Sequence, residues 1–173
     1  RRVVGWSLSD KVDTNLVIGA SINAVPLSTG SIAVTYTYNT DDGVLLIISD
    51  IGTKTYDSTI DVDIESTPML ITQLDDGNIM IIQSPDGSAG ASAERVIRTS
   101  AGAAVSGPTN LYADIGAPGI FSSGQGFASI GTTRVFNTKP NVTNQKLVRF
   151  DANGNLYASA QTLYFSGFVN SDF

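Results

Sequence analysis

Gly30, Gly77 and Gly124 stand at equal intervals of 47 residues, each in a similar setting. Leu27-Ser-Thr-Gly30-Ser-Ile-Ala-Val-Thr-Tyr36 reads like Leu74-Asp-Asp-Gly77-Asn-Ile-Met-Ile-Ile-Gln83, and Phe121-Ser-Ser-Gly124-Gln-Gly-Phe-Ala-Ser-Ile130 is a looser third copy. Self-similarity with a period of 20 to 50 residues belongs to solenoids, propellers and arrays. In such chains one repeat cannot bury its apolar face alone and must stack on a neighbour. The repeat therefore constrains the architecture more tightly than any local propensity.

The repeat unit is a β unit. Strand-like runs rich in β-branched and aromatic residues alternate with Gly, Asp, Asn and Pro, the spacing of an all-β chain. Candidate strands are Ser31–Tyr38, Val44–Ser49, Ile79–Gln83, Arg95–Arg98, Lys146–Phe150 and Leu163–Phe165. A second set of turns follows the first: Asp50-Ile-Gly52, Ser100-Ala-Gly102 and Asp151-Ala-Asn-Gly154. Gly at a position needing positive φ, with Asp, Asn or Ser ahead of it, is hairpin chemistry. Apolar residues recur after these turns at Ile60, Leu111 and Leu163. Each unit is then a four-stranded antiparallel meander, strands A to D. Strands A and B flank the first glycine, and C and D the second. Pro26, Pro68 and Pro118 are expected just ahead of a unit's first strand, where a missing N–H costs little.

In this register the chain divides into units at roughly 1–25 (partial), 26–67, 68–117, 118–165 and 166–173 (partial), all in one repeat domain. Val3-Val-Gly-Trp6-Ser-Leu-Ser-Asp10 aligns with a C strand and its turn, and Asn15–Ile18 with a D strand. Gly167–Asp172 resembles an A strand. The expectation is a stretch of a longer protein, with pairing of two chains or an open array as alternatives. The interval between the two glycines grows from 22 to 25 to 30 residues. That drift places the extra length in B–C loops around Pro85–Ala93 and Phe136–Asn144, since insertions in repeat folds collect on one face.

Composition narrows the chemistry. The chain has no histidine and no cysteine. A Ser-His-Asp triad, a thiolate nucleophile and the usual zinc ligand sets are therefore excluded. A net charge of −6 repels phosphate backbones and anionic lipid, so neither nucleic acid nor membrane insertion is expected. Only 15% of residues are charged, and Ser, Thr, Asn and Gly supply the polar surface. That composition suits an extracellular, cell-surface or virion protein.

Two residue sets could carry binding chemistry. Asp151-x-Asn153-x-Asn155 has the opening spacing of a calcium loop, although position 162 is Thr where the distal Glu would stand. The competing reading is an Asx-stabilised hairpin turn, and the same holds for Asp41-Asp42-Gly43 and Asp75-Asp76-Gly77-Asn78. Calcium is the one cofactor these turns would suit; no other is expected. Tyr36 and Tyr38 share a strand face beside Asn39, a pattern in which rings stack on sugars and the amide bonds hydroxyls. The competing reading is core packing between units. Arg95, Arg98 and Arg149 fall at matching C-strand positions, where they are expected to pair with turn carboxylates of a neighbouring unit.

The run Leu74-Asp-Asp-Gly-Asn78, then Arg95-Val-Ile-Arg98, and Leu147-Val-Arg-Phe-Asp-Ala-Asn-Gly154 are similar to the tandem blades of bacterial secreted β-propellers. The resemblance covers most of the chain and rests on turn glycines and strand pattern. It implies an all-β fold of four-stranded blades, a propeller or part of one. There is no Trp-Asp dipeptide and no double glycine of the kelch kind, and the resemblance implies no binding residue. The expected function is a non-enzymatic binding or structural module presenting repeat loops to a glycan or a protein surface, with self-association a further option. The alternative is a glycoside-active enzyme of propeller type using an Asp/Glu pair, chemistry that needs only two well-spaced carboxylates.

Overall fold

In the computed structural model the residues described are 22–38, 42–61, 69–83, 94–111, 127–130, 133–141, 144–156 and 161–164. They form twelve strands: β1 (Ile22–Pro26), β2 (Ile32–Tyr38), β3 (Asp42–Ile48), β4 (Lys54–Asp61), β5 (Leu70–Gln73), β6 (Ile79–Gln83), β7 (Glu94–Arg98), β8 (Ala104–Asn110), β9 (Phe127–Ile130), β10 (Thr133–Asn141), β11 (Asn144–Phe150) and β12 (Gln161–Tyr164). These pair as three four-stranded antiparallel sheets in simple sequence order, β1–β4, β5–β8 and β9–β12.

One hairpin geometry recurs five times. The residue heading the loop accepts from the glycine three positions on and donates to the carbonyl four positions on. At Leu27 these bonds are Gly30 N to Leu27 O at 2.9 Å and Leu27 N to Ser31 O at 2.8 Å; the same pair recurs at Ser49, Leu74, Thr99 and Asp151. The glycines Gly30, Gly52, Gly77, Gly102 and Gly154 have φ between 79° and 92°. This is the three-residue hairpin loop, a type I turn closed by a left-handed residue.

The heading residue then does one of two jobs. In the first hairpins it is Leu27 or Leu74, whose side chain is buried in the core. In the second hairpins it is Ser49, Thr99 or Asp151, whose side-chain oxygen accepts from the loop's own backbone. Thr53 N donates to Ser49 Oγ, Ala101 N and Ala103 N to Thr99 Oγ1, and Asn153 N and Asn155 N to Asp151 Oδ1.

Packing follows the two-residue side-chain period of strands. In β6, Ile79, Met80, Ile81 and Ile82 are all 0% exposed, so both faces of the middle sheet are covered. Ile79 and Ile81, with Ile71 and Val96, meet Leu27, Ala33, Leu45, Ile47 and Ile60 of the first sheet. Met80 and Ile82, with Leu70, Leu74, Ile97 and Leu111, meet Val148 and Phe150 of the third. Leu27 and Ile60 in one interface thus match Leu74 and Leu111 in the other. Each such side chain contributes roughly 1.5–3 kcal/mol on burial, so these two interfaces dominate the stability of the stack. β5 lies against β1 and β2, and β9 against β5, which sets the first strands of the sheets side by side.

Polar links join the sheets as well. The Met69 carbonyl accepts from Asn23 Nδ2 (3.0 Å) and from the buried Thr35 Oγ1 (3.1 Å). Gln73 Oε1 accepts from Ser28 N (2.8 Å), and its Nε2 donates to Ser28 Oγ and to Gly77 O.

Four expectations are corrected. The first hairpin of the third sheet is not at Gly124: β9 ends at Ile130 and β10 begins at Thr133, so residues 131–132 connect them. Counted from there the intervals are even. Gly30 to Gly52 is 22 residues, Gly77 to Gly102 is 25 and residue 131 to Gly154 is 23. Of the apparent insertion at Phe136–Asn144, Phe136–Asn141 belongs to β10 and Asn144 opens β11, the paired ends of two strands. Pro26 ends β1 rather than preceding it; β1 is an edge strand, where a residue without N–H is tolerated. Asp42 and Gly43 open β3, paired to Tyr38 and Thr37, and are not a turn. The segments 1–21 and 165–173, read as partial units, lie outside the described residues.

Candidate functional site

Successive connections in a meander lie at opposite ends of the sheet and alternate ones at the same end, so all five glycine hairpins share one end of the stack. Contacts between them confirm this. Ser28 of one first hairpin bonds Gln73 beside the next. Asp75 N, in the hairpin at Gly77, donates to Ala152 O of the third sheet's hairpin. The connections at the other end are 39–41, 84–93 and 142–143, together with 62–69 and 111–126 between sheets.

Asp151, Asn153 and Asn155 sit in the hairpin at Gly154. Asp151 Oδ1 accepts from Asn153 N (2.9 Å) and Asn155 N (2.8 Å), and Oδ2 from Asn155 Nδ2 (3.3 Å). Partial burial opposes ionisation of this carboxyl. The hydrogen bonds from Asn155 and Asn153 and the charge of Arg95 outweigh it, holding Asp151 below the usual carboxylate range. Both oxygens already serve the turn. Asp76 does the same at Gly77, accepting from Asn78 N and Asn78 Nδ2. Among the described residues no three acidic side chains gather as metal ligands would.

Arg95 projects from β7 onto the third sheet, and its Nη1 donates to Gly154 O. Burial lowers its pKa, partly offset by Asp151, and a guanidinium remains protonated regardless. It reaches the neighbouring turn, but it bonds a backbone carbonyl there and no ion pair with Asp151 is formed; that carboxylate acts on it only through its nearby charge. The three arginines, however, do not occupy matching positions. Counted back from the turn glycine, Arg98 aligns with Phe150, Arg149 with Ile97 and Arg95 with Leu147. Arg98 pairs with Ile79 on the face toward the first sheet, whereas Arg95 pairs with Ile82 on the opposite one.

Tyr36 lies half-buried on β2 against Val34, Leu46 and Ile48. Tyr38 is the last residue of β2, and Asn39 lies outside the described residues. The structure thus places Tyr36 beside an apolar cluster.

A contact with no sequence signal locks the first two sheets. A Cβ built on Gly102 would lie 2.3 Å from Tyr56 Cδ2, so the ring of Tyr56 on β4 rests directly on the glycine. At Gly154 a Cβ would meet Leu74 Cδ1 at 3.0 Å and Met80 Sδ and Ile97 Cδ1 at 3.2 Å. The second-hairpin glycine of each later sheet is therefore seated on the sheet before it.

Face-packed antiparallel meanders with their first strands side by side are blades, and the chain has the architecture of a β-propeller or part of one. Among solved structures it is similar to an α-L-arabinofuranosidase from Clostridium thermocellum, at 12% identity and a TM-score of 0.50. The match covers 86% of this chain and 57% of that one, so the chain spans little more than half the length of that enzyme. No protein-family model matches the sequence, and no curated protein matches it. Among the described residues no helix is long and apolar enough to cross a membrane.

Proposed function

We propose that the chain is a non-enzymatic binding or structural module of a surface or virion protein, related in build to secreted propellers, that meets a glycan or a protein partner. The observation carrying this reading is how the polar groups of the hairpin end are spent. Ser49, Asp76, Thr99 and Asp151 each accept from their own loop, Gln73 is bonded to Ser28, and Arg95 is committed to Gly154. Recognition then belongs to the opposite end, at the connections 39–41, 84–93 and 142–143 and those between sheets. Stacked repeats offer a broad surface to which several units contribute at once.

A second reading, a glycoside-active enzyme using an Asp/Glu pair, draws on the fold shared with the arabinofuranosidase. Such an enzyme needs one carboxyl raised toward neutrality as general acid. Asp151 is shifted the opposite way and does not suit that role. A glycan array, run beside aryl-arabinofuranoside turnover on the same protein, tests both. Binding without turnover is the expected result; turnover abolished by a single Asp or Glu substitution would replace the first reading with the second.

A further inference from the structure

Asn153 is the one asparagine of the chain that is followed by glycine. That pair is the most prone of all to lose ammonia without a catalyst, because glycine has no Cβ to shield its amide nitrogen or restrict its backbone. The hairpin after β11 treats its two members differently. Asn153 is exposed, while Gly154 is buried. Three restraints hold the glycine. Its N–H donates to Asp151 O at 3.0 Å. Its carbonyl accepts from Arg95 Nη1 of the middle sheet. The space a Cβ would take is filled by Leu74, Ile97 and Met80. Asn153 N and Asn155 N, on either side of it, are both bonded to Asp151 Oδ1.

We propose that Asn153 is a deamidation site that the hairpin keeps latent, and that opening of the hairpin from the middle sheet releases it. The nucleophile is the Gly154 nitrogen. Having given its proton to water or hydroxide, it attacks Asn153 Cγ. The new C–N bond closes a cyclic imide, and the side-chain nitrogen leaves as ammonia. Water then opens the imide at one of two bonds. Cleavage at Cγ leaves aspartate in an ordinary main chain. Cleavage at the Asn153 carbonyl carbon routes the main chain through Cγ, as isoaspartate. The net change is one amide and one water to one carboxylic acid and one ammonia. In the closed hairpin the Gly154 N–H is spent on Asp151 O and the residue is pinned at both ends, so its nitrogen is free neither to lose the proton nor to turn onto Cγ. The reaction is therefore gated by local opening.

The two products have different consequences. Aspartate fits the position, as the middle sheet shows: Asp76-Gly77 stands at the same place in the hairpin headed by Leu74, with the same turn bonds and a glycine φ of 87° against 79° for Gly154. Isoaspartate instead lengthens the main chain of the loop by a methylene. The bond from Gly154 N to Asp151 O, the bond from Arg95 to Gly154 O and the seat on Leu74, Met80 and Ile97 then no longer fall in register. Once formed, isoaspartate holds this hairpin off the middle sheet.

Peptide mapping by mass spectrometry, on the full chain incubated at mildly alkaline pH with and without denaturant, tests the gate. In denaturant Asn153 is expected to deamidate first among the asparagines; in the folded chain it is expected to react severalfold more slowly. Asp151→Ala removes the bonds on Asn153 N and Asn155 N and is expected to raise the folded-chain rate. Asp151→Thr is expected to lower it again, since Thr99 accepts from the matching Ala101 N and Ala103 N. Arg95→Met, which releases Gly154 O, should raise the rate through the sheet contact alone. Equal rates in folded and denatured chain would overturn the proposal, as would a folded-chain rate that neither Asp151→Ala nor Arg95→Met changes. The consequence is read after refolding. Asn153→Asp is expected to denature close to the natural chain, and the isoaspartate form, purified from the denatured incubation and refolded, at clearly lower denaturant. Equal midpoints for those two would overturn the claim that isoaspartate unseats the hairpin.

Discussion

Gly52 and Gly102 close hairpins of the same backbone geometry and stand in opposite surroundings. Both have positive φ, 84° and 92°, and both complete the same pair of turn hydrogen bonds. Yet a Cβ on Gly52 would meet nothing within 4 Å, whereas one on Gly102 would enter the Tyr56 ring. Gly154, in the third sheet, is closer to Gly102 than to Gly52. One residue type thus answers two demands: a backbone that other residues adopt only at a cost, and a close approach between sheets. Only the first is a property of the hairpin; the second arises when a hairpin is stacked on a preceding blade.

Separating the two demands orders the expected effects of substitution. Gly102→Val should be the most damaging, combining left-handed backbone strain of about 1–2 kcal/mol with overpacking of about 1–3 kcal/mol. Chemical denaturation would read a loss of roughly 2–5 kcal/mol. Trimming the ring sharpens the comparison. In a Tyr56→Ala background the further cost of Gly102→Ala should fall to the backbone strain alone, about 1–2 kcal/mol. Additive losses in that double-mutant cycle would show that ring and glycine do not compete for space. Gly154→Ala ranks below Gly102→Val because its neighbours are the ends of flexible Leu, Ile and Met side chains, which can give way. Gly52→Ala should cost only the strain term, about 1–2 kcal/mol. If Gly52→Ala proved as destabilising as Gly102→Ala, the close approach would contribute nothing and the contrast would fail.

What the sequence reveals divides along the same line. The five turn glycines were legible because positive φ is a property of one residue in its own loop. The alternation of Ile79, Met80, Ile81 and Ile82 into two different interfaces was not legible, because a continuous apolar run looks alike from both faces. Gly124 misled because Ser-Ser-Gly is good turn chemistry, while the actual connection, Gly131-Thr132, lacks the Leu-x-x-Gly frame of Gly30 and Gly77. Gly-Thr is itself two-residue hairpin chemistry, so two rival turns stood seven residues apart, and strand pairing decided between them. Tyr56 on Gly102 joins residues of different sheets, and nothing in either local sequence encodes how sheets seat. Of the candidate site, the Asx reading of Asp151, Asn153 and Asn155 was legible from their spacing within one loop. Whether Tyr36 faced solvent or core depended on its sheet's surroundings and was not.

The smallest effect expected, and the one that titrates, belongs to Asp151. It heads its hairpin where Ser49 and Thr99 head theirs, but it alone of the three carries a charge. Its carboxyl sits below the usual range because, against partial burial, the Asn155 and Asn153 bonds and Arg95 favour the ionised form. The native state therefore binds that proton less readily than the unfolded chain does. The stabilisation is fully present above the unfolded carboxylate value, near pH ~4, and is lost as pH falls through the native one. Since the group is largely exposed, its worth is a fraction of the ~1 kcal/mol typical of a hydrogen bond. Asp151→Asn should lower stability slightly at neutral pH and converge with the natural chain below about pH 4. Asp151→Ser, which restores the head group of the first sheet's hairpin, should show the same convergence while keeping part of the turn's hydrogen bonding. A difference that persisted unchanged into acid would mean that Asp151 acts here by shape and not by charge.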